Sequence, residues 1–219
     1  MSITLPSFEF SDSAKTHVPN VLFGLCAARE VSSEALSVIV EAHKPKALDA
    51  IRSAPSEIRQ NMETFQSFFS DHGFQCPLPS QLRSIEKNGF PRISPFVDTL
   101  LLCEMTNGVL MGVQDLDSIH GGLIYDIAQN GESFEGFRSK EPLICKNGEI
   151  IIRDSQAIIA SYFQGPDQRT SVTSRTVSLL FYVFGAPSLA RSAFDDALQM
   201  AVNILTPIAE EVGMAIFEN

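Results

Sequence analysis

Two strings in this chain carry residue types that chemistry uses. Asp115-Leu116-Asp117 begins as a calcium loop does, with carboxylates at alternate positions. The series then fails, because Ile119 stands where a third oxygen ligand belongs and His120 where the turn needs Gly. Gly131-Glu132-Ser133-Phe134-Glu135-Gly136 sets a serine between glycines, but it is one residue too long for a nucleophile elbow. Ser133 also follows an Asn-Gly turn and reads as a loop residue. Cys26, Cys76, Cys103 and Cys145 are scattered, with no Cys-x-x-Cys pair to hold zinc, and are expected as reduced, buried thiols. The four histidines lie far apart, and His43 and His72 fall at helix ends, where capping carbonyls is their expected work. No phosphate-binding glycine loop and no His-Glu-x-x-His string is present. No cofactor and no metal is expected.

The elements that position these residues follow from periodicity. Val21 to Ala28 is a nearly continuous apolar run, the pattern of a strand buried on both faces. Ser32 and Ser33 offer a helix cap, and Leu36, Ile39 and Val40 keep helical spacing until Pro45. A second helix fits Pro55 to His72, stopped by Gly73, with Ile58, Met62, Phe65 and Phe69 on one stripe. Short helices are expected at Ser80–Lys87 and Pro95–Met105. Four Asn-Gly dipeptides then punctuate strand-like runs at Leu123–Ala128, Glu149–Arg153, Ala157–Phe163 and Val177–Phe184. A long C-terminal helix is predicted over 188–212, capped by Ser188 and kinked near Pro207. Residues 1–17 read as a polar N-terminal arm and 18–219 as a single domain. Helices flanking a turn-rich β region make the class α+β.

The chain has 219 residues and a formal charge of −10, from 16 basic and 26 acidic side chains. That excludes a polybasic protein whose binding rests on bulk charge, though not a local basic face. It also has 16 Phe and no Trp. No apolar run approaches a membrane span, and residues 1–10 lack the pattern of a secretory signal, so a cytoplasmic location and no membrane partner are expected.

One stretch says more. Ser84-Ile85-Glu86 is followed by Phe90-Pro91-Arg92-Ile93-Ser94-Pro95-Phe96-Val97-Asp98, then Gly112 before Asp115-Leu116-Asp117, and Gly122. Gly131-Glu132-Ser133-Phe134, Glu149 and Asp167-Gln168-Arg169-Thr170-Ser171-Val172-Thr173-Ser174-Arg175-Thr176 complete the series. This order resembles the B3/4 domain of the phenylalanyl-tRNA synthetase β chain, and more closely the free-standing proteins built from that domain alone. The resemblance covers about Val18 to Pro187. It implies a three-layer arrangement of β-sandwich and helices, and a partner in the 3′ end of tRNA or in aminoacyl-tRNA. It leaves open hydrolysis of mischarged aminoacyl-tRNA in trans, binding of tRNA or an amino acid without catalysis, and, more weakly, hydrolysis of another small ester or amide.

The resemblance also distributes roles. Asp98, Leu101, Gly112, Asp115 and Gly131 fall at pocket positions, Leu101 where the family commonly places Asn and Gly112 where the synthetase modules carry an editing His. Asp98 has a plainer reading as a carboxylate favoured by its helix N-terminus, and Glu132 as a solvated loop residue against recognition of an α-amino group. Arg169 is assigned to a tRNA phosphate and Thr170 to the ester carbonyl, with Thr173 nearby, against cross-strand Thr pairing and a surface Arg. Glu132 and Thr170 are the catalytic candidates. Where the family reads Arg-x-Trp-Asn-Trp-Arg, this chain has Ala160-Ser161-Tyr162-Phe163-Gln164-Gly165, leaving Tyr162 and Phe163 as a platform for base stacking. Arg83, Lys87 and Arg92, with Arg138, Lys140, Lys146 and Arg153, are the basic residues available to RNA. Oligomeric state is not legible.

Overall fold

A computed structural model describes residues 3–53 and 56–219; the helix start expected at Pro55 lies outside the described residues. The chain opens with β1 (Phe8–Phe10), α1 (Asp12–His17) and β2 (Leu22–Arg29). Four helices follow: α2 (Ser33–Ser53), α3 (Ser56–Asp71), α4 (Leu78–Asn88) and α5 (Pro95–Asn107). Then come β3 (Met111–Asp115), β4 (Leu123–Ile127), β5 (Ser133–Phe134), β6 (Leu143–Ile144), β7 (Ile150–Arg153), β8 (Ile158–Ser161) and β9 (Gly165–Pro166). Strand β10 (Leu179–Phe184), helix α6 (Arg191–Leu205) and strand β11 (Glu211–Glu218) complete the order.

The strands build two main sheets, β11-β2-β10-β3 and β1-β4-β7-β8-β9, with β5 and β6 a small pair beside them. Strand β2 has both neighbours antiparallel and is buried along nearly its whole length. Its alternation sorts the layers. Phe23 meets Tyr125 of the second sheet at 5.7 Å between ring centroids. Gly24, one residue on, faces α6, where even a Cβ would come within 3.0 Å of Phe194. The first sheet therefore lies between helices on one face and the second sheet on the other, the three-layer α+β arrangement expected from the sequence. Rings fill the sheet interface, which takes up Phe8, Phe10, Phe23 and Phe184 with Tyr125 and Tyr182.

Two local expectations change. Helix α2 does not stop at Pro45 but runs through it to Ser53. Pro45 is exposed, while Leu36, Val40, Lys44, Ala47 and Ile51 form a buried stripe on either side of it. Packing of that stripe outweighs the one hydrogen bond that proline withholds. The C-terminal helix spans 191–205 rather than 188–212, with Ala190 as its N-cap and Ser188 outside it at φ 69°. Pro207 ends it, and residues 211–218 extend along the whole of β2. Leu205, Ile208, Ala209 and Val212 keep helical spacing, which is why the strand was hidden. The N-terminal arm is ordered over its described residues: β1 pairs parallel to β4, and Ser11 Oγ caps α1 by accepting from Ala14 N–H at 3.0 Å.

Candidate functional site

The N-terminal turn of α5 is fixed before anything can bind beside it. Ser94 Oγ accepts from Val97 N–H at 3.3 Å, and Pro95 occupies the first helical turn, where its missing N–H costs nothing. Asp98 then secures the preceding loop. One carboxylate oxygen accepts from Ile93 N–H at 2.9 Å and the other from Lys44 Nζ at 2.7 Å. Lys44, itself buried, also donates to Pro91 O and to Glu41 Oε1, so a charge network on α2 clamps residues 91–98. Asp98 thus faces a small cavity of about 300 Å³ beside α2.

On the other side of that turn lies a cleft of about 850 Å³, well within the range of small-ligand sites. It opens where the sheets' edge strands β3 and β9 come together, and α3, α4, β8 and β10 contribute walls. Phe69, Phe96, Leu100, Met111, Val113 and Phe184 make it predominantly apolar. Ile93 and Phe137, 58% and 42% exposed, stand at its rim. Beside Phe137, Arg138 holds its guanidinium 5.0 Å from the ring centroid. The Arg138 backbone is in the left-handed region at φ 59°, and its N–H donates to Gln168 Oε1.

Of the residues singled out from sequence, Gly112, Arg138, Tyr162, Phe163 and Thr173 line the cleft. At Gly112 the Tyr182 ring occupies the space a side chain would need, 2.1 Å from an ideal Cβ. Phe163 is not an open platform: Phe74 stacks on it at 4.9 Å and 4°, His72 at 4.7 Å and 25°. Tyr162 is 2% exposed, and its hydroxyl donates to Gly185 O. Leu101 is buried outside the lining, and its neighbour Leu100 faces the cleft in its place.

The remaining polar residues have internal partners. Thr170 is fully buried, its Oγ1 between Gln114 Oε1 at 2.8 Å and the Asp167 carboxyl, which burial raises above its ordinary range. Arg169 donates to Asp154 Oδ2 at 2.9 Å and to Ser118 O at 2.8 Å. Burial alone would raise Asp154; the N–H groups of His120, Gln156 and Ala157 together with Arg169 bring it below the usual carboxylate range. Glu132 accepts from Arg153 at 3.0 Å and closes its turn through Gln129 N–H at 2.7 Å, beside Gly131 at φ 87°. Asp115 caps Asp117 N–H and accepts from Thr176 Oγ1. Among the basic residues, Arg92 pairs with Glu41, Arg153 with Asp126 and Glu132, and Lys146 sits over Phe74. Arg83, Lys87, Arg138 and Lys140 make no ion pair among the described residues.

Sequence reasoning missed Glu104. It lines the cleft at 4% exposure, and burial pushes its carboxyl up to about 8. Its signal was an acidic residue in an otherwise apolar run, Leu100-Leu101-Leu102-Cys103-Glu104-Met105.

With this geometry in view, the family model of the B3/4 domain matches residues 65–203, more than half of the chain. The chain belongs to the B3/4 domain family. Its fold is similar to that of an N-terminal fragment of the phenylalanyl-tRNA synthetase β subunit from Pyrococcus horikoshii, at a TM-score of 0.52 and 14% identity. The likeness covers 100% of this chain but 55% of that fragment, so the chain spans little more than half of its length. No curated protein matches the sequence. None of its described helices is long and apolar enough to cross a membrane.

Proposed function

We propose that this B3/4 domain binds the aminoacyl end of a tRNA, with the amino-acid side chain entering the apolar cleft. The observation that carries the reading is the cleft itself: 850 Å³, apolar in lining, with an exposed aromatic ring and a guanidinium at its mouth. Phe137 offers a face to a terminal base, and Arg138 a charge to its phosphate. Family membership supports the partner, and four free, buried cysteines suit the reducing cytoplasm as its setting.

Binding without catalysis is the form the side chains favour. Thr170, Arg169 and Glu132 are each engaged within the protein, so none of them stands ready to attack or polarise an ester. Hydrolysis in trans would rest on a water placed by backbone groups and the terminal ribose.

A panel of correctly charged, mischarged and uncharged tRNAs separates these outcomes. Acylated tRNA is expected to bind more tightly than uncharged tRNA, and Leu100→Trp, which puts a bulky ring on the cleft wall, to reduce the difference. Equal binding of both forms by the unmodified protein would sink the proposal. Loss of the acyl group faster than in a protein-free control would instead establish the deacylase.

A further inference from the structure

We infer that Glu104 is a specificity-determining residue of the cleft, selecting ligands that present a primary ammonium group. This rests on the cleft reading above and names the ligand chemistry. Oε1 of Glu104 accepts from Met111 N–H at 3.0 Å, tying α5 to β3. Oε2 has no hydrogen-bond partner among the described residues, although the residue is only 4% exposed and borders the cleft. Oε2 is not a sealed atom but keeps open surface, so a ligand group entering the cleft can reach it.

Among the described residues, none beside it supplies a positive charge. The titratable groups close enough to feel Glu104 are the thiols of Cys76 and Cys103 and the Tyr182 phenol, none of them cationic. Arg138 alone among the lining residues is cationic, and it belongs to the rim. Burial therefore keeps the acid protonated at neutral pH, with a value of about 8. Because Oε1 already accepts an amide proton, the acid proton resides on Oε2. A ligand ammonium arriving there forms an N–H···O bond to the carboxylate, and the proton from Oε2 passes to solvent. No covalent bond changes. A ligand with the same apolar body but no cation finds a neutral acid and forgoes the charge-assisted bond.

Two groups on an aminoacyl ligand share this chemistry, the α-ammonium and an amine ending the side chain. Calorimetry at about pH 6.5 in two buffers of different ionisation heat distinguishes them, with L-leucinamide, N-acetyl-L-leucinamide and N-acetyl-L-lysinamide as probes. One of the two ammonium probes is expected to bind at least tenfold more tightly than N-acetyl-L-leucinamide and to release close to one proton. Leucinamide in that role marks the α-ammonium, and the lysine derivative marks the side chain. Glu104→Gln retains an acceptor for Met111 N–H. It is expected to abolish proton release and weaken the ammonium probe tenfold or more, leaving N-acetyl-L-leucinamide unchanged. Equal affinity for charged and acetylated probes, absence of proton release, or a Glu104→Gln protein that binds the ammonium probe as well as the unmodified one would each overturn the inference. Aminoacyl-tRNA binding measured on the same samples tells the two failures apart, since it persists if only Glu104 is misread and disappears if the cleft is.

Discussion

Gly112 and Tyr182 sit opposite each other in the β3–β10 ladder and share one volume. Gly112→Ala is expected to cost about 1–3 kcal/mol, because the ring meeting the new methyl group is packed and cannot swing away; thermal unfolding measures it. Arg169→Ala removes one of four donors from Asp154 while leaving three N–H groups, so a loss of about 1 kcal/mol is expected, the guanidinium being partly exposed. Tight coupling to tRNA affinity would return Arg169 to the phosphate role. Glu104 gives a pH signature. Its ordinary value is 4.5 and its folded value about 8, so between these the native state keeps a proton that the unfolded chain has released. Stability contributed by the neutral acid is thus full below about pH 4.5 and falls as pH rises toward 8, at a limiting slope of about 1.4 kcal/mol per unit. Glu104→Gln is expected to lose that slope, gaining on the unmodified protein from pH 5 to pH 8 in denaturant titrations. Sequence could name the cleft's helix but not its facing residue. One position along a helix turns a side chain by roughly 100°, enough to exchange Leu101 for Leu100.

Helix α2 carries the clearest element-scale prediction. Pro45→Ala restores a donor to an exposed position in a helix that is continuous anyway, and is expected to raise stability by about 1–3 kcal/mol, read as a higher melting temperature. Buried strands and long amphipathic helices were legible: the apolar run of β2, the stripe of α3 and the Ser94-Pro95 start of α5 all declare themselves by local pattern. What was not legible is set by distant partners. Strand β11 overlaps the predicted helix only at Glu211 and Val212, and it is a strand because β2 offers it an edge. The Thr170 and Arg169 string was visible as a motif, but its inward direction depends on Gln114 and Asp154, far away in sequence. At the rim, Arg138 was legible only as one of several bases, and Phe137 has neither a period nor a motif to announce it.

At the scale of the whole molecule, the charge of −10 limits how nucleic acid can be held. Several bases of the turn-rich region are already paired, so a contact of about three phosphates is the natural extent. For a single-stranded end that gives a slope of log affinity against log salt of about −2. Titration between low and physiological salt checks it, and a slope steeper than about −4 would require a broader basic surface. The topology has a further consequence for how the chain is made. Strand β2 is synthesised well before either of its sheet neighbours, β10 and β11. On the ribosome, Leu22–Arg29 therefore emerges as an apolar ribbon with two open edges and stays so until Leu179 and then Glu211 have been translated. The strand that organises the finished domain is, for most of its biosynthesis, the segment most in need of a chaperone.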